Sequence, residues 1–194
     1  MAEDNPSTGR ERILEQAQRL FSMHGYHGAS IRDIAQACGL SNASLYYHFG
    51  NKQNLFFEVL GEHIGVVARQ LQEAGAGEGS CRERLARMAD AYAQIIVESQ
   101  SAIQTLLRDL THFDRKEIRH VLPDARRRIQ STIAIVLEEG MAAGEIQPVD
   151  TYRMGILLLA MVSSLAARNL YGDVTTTPSE DADLVVSTLF EGIG

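Results

Sequence analysis

The residues of this chain best equipped for chemistry lie between Ser30 and Lys52, in the string SIRDIAQACGLSNASLYYHFGNK. Its polar and outward members are Arg32, Ser41, Asn42, Ala43, Ser44, Tyr47, His48 and Lys52. A guanidinium, hydroxyls, a carboxamide, an imidazole and an ammonium make a set that donates and accepts hydrogen bonds without breaking a covalent bond. That chemistry suits base edges and phosphates in a major groove. Arg32 can meet a guanine edge bidentately, or else lie on the surface as a solvated arginine. Asn42, Ala43 and Ser44 form the first turn of a helix that faces the bases, with Ala43 small enough to touch a thymine methyl. No glycine-rich phosphate loop and no G-x-S-x-G elbow supports catalysis.

Two short helices must position these side chains. Ser30 is an N-cap and Asp33, three residues on, makes a shortened capping box, so a helix begins near Ile31. Ile34, Ala35 and Cys38 share its buried face, and Gly39 supplies the left-handed residue that ends it. Leu40 plugs the turn, Ser41 caps the next helix, and Leu45 with Phe49 forms its buried i, i+4 pair. Tyr46 is expected to pack inward between helices. The pattern is a helix-turn-helix. Upstream, Ile13, Leu14, Ala17, Leu20 and Phe21 recur at helical spacing as far as Gly25. Downstream, Asn51 caps a helix carrying Leu55, Phe56, Val59 and Leu60.

Taken together, LFSMHGYHGASIRDIAQACGLSNASLYYHFGNKQNLFFEVL resembles the DNA-binding domain of the TetR family of bacterial transcriptional regulators. The most diagnostic part is Leu45-Tyr46-Tyr47-His48-Phe49 followed by Asn51-Lys52. The resemblance covers roughly residues 10–60; beyond them the chain matches that family in length, helical character and order. It implies that Tyr47, His48 and Lys52 hold the phosphate backbone of a double-stranded operator. It further implies a helical regulatory domain for a small molecule, a homodimer built by the last two helices, and repression as the sign of control.

Composition frames these expectations. The 194 residues are 45% apolar, enough for a real core. The net charge of −7 is awkward for a DNA binder, yet residues 19–52 hold three basic side chains (Arg19, Arg32, Lys52) to one acidic (Asp33). The docking face can be positive on a negative body, with hydroxyls and backbone amides adding phosphate contacts. The start Met1-Ala2-Glu3-Asp4 is acidic and lacks the apolar stretch of a signal peptide, so a cytoplasmic location is expected. The run 154–167 is too short to span a membrane and reads as a buried helix. Cys38 and Cys81 form no metal-spaced pair; Cys38 reads as a reduced structural thiol, Cys81 is open. No cofactor and no metal are expected.

The fold expected is all-α, with about nine helices: a tail over 1–9, the helix-turn-helix domain over 10–60, and a ligand-binding and dimerisation domain over 61–194. Ser80 with Glu83 and Thr177 with Glu180 are capping boxes that start helices, and further helices are expected near 102–110 and 151–171. Pro123 reads as the first residue of a long helix ending near Gly140 to Gly144. Met161, Ser164, Leu165 and Arg168 with Leu184, Val185, Thr188 and Leu189 are the dimer face, or else ordinary core. Tyr92, Ile96, Leu107, Ile133, Leu137 and Leu158 are candidate contacts to an apolar or amphipathic effector, with Gln104, Arg108 and His112 as polar anchors; each also suits plain packing. Asp109-x-x-His112 and Glu117-x-x-His120 resemble halves of a helical-bundle metal motif, but lie too close in sequence to sit on separate facing helices, and a solvated surface suits them as well. A DNA-binding protein without a small-molecule effector also fits the sequence. Gly61 and Gly65, at i, i+4 inside one helix, ask for either close packing or a compliant joint.

Overall fold

The computed structural model describes residues 6–98, 109–110, 113–168 and 175–193, and among them are eight α-helices and no strand. They are α1 (Pro6–Gly28), α2 (Ile31–Cys38), α3 (Asn42–Phe49), α4 (Lys52–Gly75), α5 (Cys81–Glu98), α6 (Arg115–Ala142), α7 (Thr151–Ala166) and α8 (Pro178–Ile193). Contacts divide the chain into two compact units, residues 1–63 with 101–123 and residues 64–100 with 124–194. The chain passes from the first to the second inside α4, between His63 and Ile64.

In the first unit α1 packs on α2 and α2 on α3. Ile13, Ala17 and Phe21 of α1, Ile34 of α2 and Leu55 and Phe56 of α4 are fully buried. α1 is interrupted at Gly25, whose φ of 72° no β-carbon would tolerate cheaply, so the expected stop at this residue is a sharp bend. The caps are as the sequence predicts. Ser30 Oγ accepts the Asp33 N–H at 3.1 Å while the Asp33 carboxylate accepts the Ser30 N–H at 3.2 Å. Gly39 is left-handed, at φ 67°, and its N–H reaches the carbonyls of Ala35 and Gln36. Asn51 Oδ1 accepts the Asn54 N–H and so caps α4.

In the second unit α5 packs on α7 and α8, and these two pack on one another. Its core joins Leu71 of α4, Leu85, Met88 and Ala89 of α5, Ile133, Val136 and Leu137 of α6, Leu158 and Val162 of α7, and Val185 and Val186 of α8. Ser80 and Glu83 cap α5 reciprocally, Thr177 and Glu180 cap α8 in the same way, and Asp150 caps α7. Cys81 rests where α5 meets α6: a β-carbon on Gly140 would stand 2.6 Å from its sulfur. Burial, with the Glu145 carboxylate nearby, pushes that thiol up to about 11, which makes Cys81 an inert packing group.

The start of α6 differs from expectation. The helix begins at Arg115, eight residues before Pro123, with Asp114 C=O accepting the Ile118 N–H. Proline's fixed φ is helical, but in a helix interior it loses one backbone hydrogen bond and its ring crowds the carbonyl four residues back, so the first turn is the cheaper place for it; here the helix nevertheless runs on through Pro123. The expected helix near 102–110 lies outside the described residues except for 109–110.

Candidate nucleic-acid interface

The geometry of the interface is set by what α3 buries. Leu45 and Phe49 are in the core of the first unit, which leaves the rest of this two-turn helix turned outward. Ser41 caps it, its Oγ accepting the Ser44 N–H at 3.2 Å and lying 3.0 Å from the Ser44 hydroxyl. Ser41, Asn42 and Ala43 are exposed, Ser44 and His48 are half-buried, and Tyr47 is 87% exposed. A tyrosine ring standing so fully in water has a hydroxyl free for a phosphate and a face free for a sugar. The Tyr47 and His48 rings meet edge to face with centroids 5.4 Å apart, which limits where the imidazole can point.

Arg32 is exposed on α2, whose buried face carries Ile34, Ala35 and Cys38. Its neighbour Asp33 is committed to the α2 cap, and the Ser30 hydrogen bonds hold its carboxyl below the ordinary carboxylate range. Asp33 is thus occupied at the helix start, where its charge suits the macrodipole. Arg10 and Arg12 are occupied in the scaffold. Arg10 pairs with Glu58, and Arg12 donates to the Cys38 carbonyl at 2.7 Å. Cys38 itself is buried, and burial raises its thiol pKa, as a structural cysteine requires.

Lys52 is half-buried, and its ammonium stands 4.5 Å above the centroid of the Tyr26 ring. Burial lowers its pKa, while the Asp109 carboxylate acts in the opposite direction. Tyr46, expected to pack inward, is 50% exposed. The one-residue step of 100° from Leu45 carries it past the edge of the buried stripe, so it borders the same outward face.

Elsewhere the described residues sort as follows. Ile133, Leu137 and Leu158 are fully packed into the second core, Ile96 is half-buried, and the Tyr92 hydroxyl lies 3.2 Å from that of Ser163. Gln104, Leu107, Arg108 and His112 lie outside the described residues. Of the suggested dimer face, Ser164, Leu184 and Thr188 are exposed, while Met161, Leu165 and Leu189 are half-buried. Val185 is 1% exposed and belongs to the core, because one 100° step separates it from the outward Leu184. Arg168 is turned into its own chain, donating to Asp181 at 2.5 Å and to the Thr176 hydroxyl at 3.0 Å. Asp109 of the proposed metal motif accepts the Tyr26 backbone N–H, and no group of three metal-binding side chains occurs among the described residues.

Gln130 belongs to no motif of the sequence. It is 7% exposed, and its carboxamide oxygen has no hydrogen-bond partner among the described residues. A β-carbon on Gly155 would stand 2.5 Å from that oxygen, so the glycine is what gives the carboxamide its place in the core. The available signal was a lone polar residue at i−3 from Ile133 on an otherwise apolar stripe. No described helix is long and apolar enough to cross a membrane.

Comparison with known proteins agrees with this geometry. Residues 13–59 match the family model described as bacterial regulatory proteins, tetR family, and residues 78–167 match that described as tetracyclin repressor-like, C-terminal domain. The HTH-type transcriptional repressor AcnR of Corynebacterium glutamicum is 40% identical over 77 residues, which are 40% of this chain and 41% of that repressor. The HTH-type transcriptional repressor KstR2 of Mycolicibacterium smegmatis is 28% identical over 159 residues, 76% of this chain and 74% of the relative. Among solved structures, the transcriptional regulator FadR of Bacillus subtilis in complex with stearoyl-CoA superposes with a TM-score of 0.78 at 17% identity, covering 95% of this chain and 99% of that one.

Proposed function

This chain belongs to the TetR family of bacterial regulatory proteins, and from that membership and the outward face of α3 we propose that it is a transcriptional repressor, released by a small molecule and bound to a pseudo-palindromic operator as a homodimer. The observation that carries the DNA reading is a short helix capped by Ser41, anchored by Leu45 and Phe49, and presenting Asn42, Ala43 and Tyr47 to solvent. So short a helix reads only a few base pairs, and two copies are needed for useful specificity. Arg32 and the α3 N-terminus read bases; Tyr47, His48 and Lys52 hold phosphates.

Support for the dimer comes from α7 and α8. Leu157, Ala160 and Ser164 follow one another at helical spacing on the exposed face of α7, and Leu184 and Thr188 do so on α8. Two exposed leucines beside small residues suit close helix approach in a two-fold interface.

Support for an effector is the buried carboxamide of Gln130. An acceptor without a partner in an apolar core costs stability, and a ligand donor would satisfy it. The effector is therefore an amphipathic molecule with an apolar body and a hydroxyl, amide or ammonium donor. The FadR structure, which shares this fold, is in complex with stearoyl-CoA, and that supports an amphipathic effector here.

The test begins by mapping the sites bound by the full-length protein across its genome, then challenges the purified complex with acyl thioesters, fatty acids and amphipathic amines. One class should lower operator affinity by about ten-fold or more. Gln130→Leu should keep operator binding and melt no lower than wild type, yet lose that response. Operator affinity unchanged by every class would contradict the effector and leave a regulator controlled by other means.

A further inference from the structure

Asp109 is a carboxylate only 5% exposed in the first unit, and it is not one of the side chains that face DNA. It accepts the backbone N–H of Tyr26, at the bend that Gly25 makes in α1. Gly25 serves twice there. Its φ of 72° makes the bend, and its missing side chain makes the seat, since a β-carbon would stand 3.1 Å from Asp109 Oδ2. Beyond the bend, the Tyr26 ring is wedged edge-on against Phe56 and Phe113, with centroids 5.1 and 4.8 Å away. The Lys52 ammonium stands on the ring so fixed. A chain of contacts therefore runs from the Asp109 carboxylate through the Tyr26 backbone and ring to a cation at the start of α4.

We propose that Asp109 is a positioning residue of the DNA interface: by holding Tyr26 at the Gly25 bend, it fixes the platform from which Lys52 meets a phosphate of double-stranded DNA. The inference rests on Lys52 being a phosphate contact. What the geometry requires at position 109 is an acceptor for the Tyr26 N–H, which a carboxamide oxygen supplies as well as a carboxylate. The contact also gives Asp109 and Phe113 a stake in the DNA interface, although in the sequence they follow α5 of the other unit. A lysine held on an aromatic face is presented in one place, where a free lysine would spend its four-carbon stem on many.

The probe is a duplex selected by the full-length wild-type protein from a random-sequence pool, with affinity measured across a salt series and melting recorded in parallel. Lys52→Ala should lower the salt slope by about one per half-site. Asp109→Ala should lower it by the same amount, add nothing in the Lys52→Ala background, and be rescued by Asp109→Asn. If Asp109→Ala does not fold, Tyr26→Leu, which keeps the backbone donor and removes the platform, should lower the slope as Lys52→Ala does. A lowered slope for Lys52→Ala with an unaltered slope for Asp109→Ala or Tyr26→Leu overturns the proposal alone. Additive losses in the double variant, or Asp109→Asn behaving as Asp109→Ala, do the same. A Lys52→Ala slope equal to wild type overturns the phosphate role and the proposal together.

Discussion

Arg32 and Lys52 are both cations near α3, yet their surroundings assign them different work. Arg32 is exposed, and no hydrogen bond or ion pair with a described residue fixes its fork, so it is available to a base edge. Lys52 is held over Tyr26 as a point charge. Arg32→Ala should therefore lose about 1 to 3 kcal/mol and relax preference at one position of each half-site. A competition assay over single-base variants of the selected duplex checks this; a uniform loss across all variants would mean that Arg32 only touches the backbone. Residue chemistry was legible in the sequence where it depends on near neighbours: Ser30 with Asp33, Ser41 with Ser44 and Asn51 with Asn54 are all within one turn. It was not legible where it depends on distant ones. Tyr26 and Asp109 are 83 residues apart, and no periodicity relates them.

At the scale of elements, the same distinction separates what the pattern of apolar residues could and could not say. α2, α3 and the caps of α5 and α8 are determined locally and stand where expected. Pro123 misled because a proline at a helix start and one in a helix interior share the same φ, and only the flanking turn at Asp114 tells them apart. Val185 misled because α8 is buried along one face, which a single residue step crosses. Gly61 and Gly65 of α4 gain meaning from the structure. Among the described residues, a β-carbon at Gly61 would meet nothing within 4 Å and one at Gly65 only arginine nitrogens at 3.8 Å or beyond, so no close contact with a described residue explains them. They flank the point where α4 passes from one unit to the other. Glycine costs a helix about 1 kcal/mol relative to alanine, and we propose a compliant joint as the reason to bear it twice. Gly61→Ala with Gly65→Ala should raise the melting temperature, leave operator binding near normal and blunt release by effector. Full release by the stabilised double variant would show that α4 needs no joint.

At the scale of the molecule, a net charge of −7 sits uneasily with DNA, and the arrangement of that charge resolves it. Residues 61–194 carry 13 basic and 19 acidic side chains, while the first 60 carry five and six. The reading head is thus nearly neutral overall, and within it Arg10, Arg12 and Asp33 are spent on the scaffold. On the homodimer proposed above, affinity would come from few cations used twice over, together with hydroxyls and backbone amides. Such a protein is weak as a monomer on DNA and selective as a pair, which suits a regulator whose release requires only a change in the spacing of its two heads.

Methylation-interference footprinting of the full-length protein on its mapped operator tests this most directly. Two symmetric major-groove patches about one helical turn or a multiple of it apart are expected, both lost together when dimerisation is broken by Leu184→Glu. A single patch occupied by a monomer at full affinity, or protection confined to the minor groove, would contradict it.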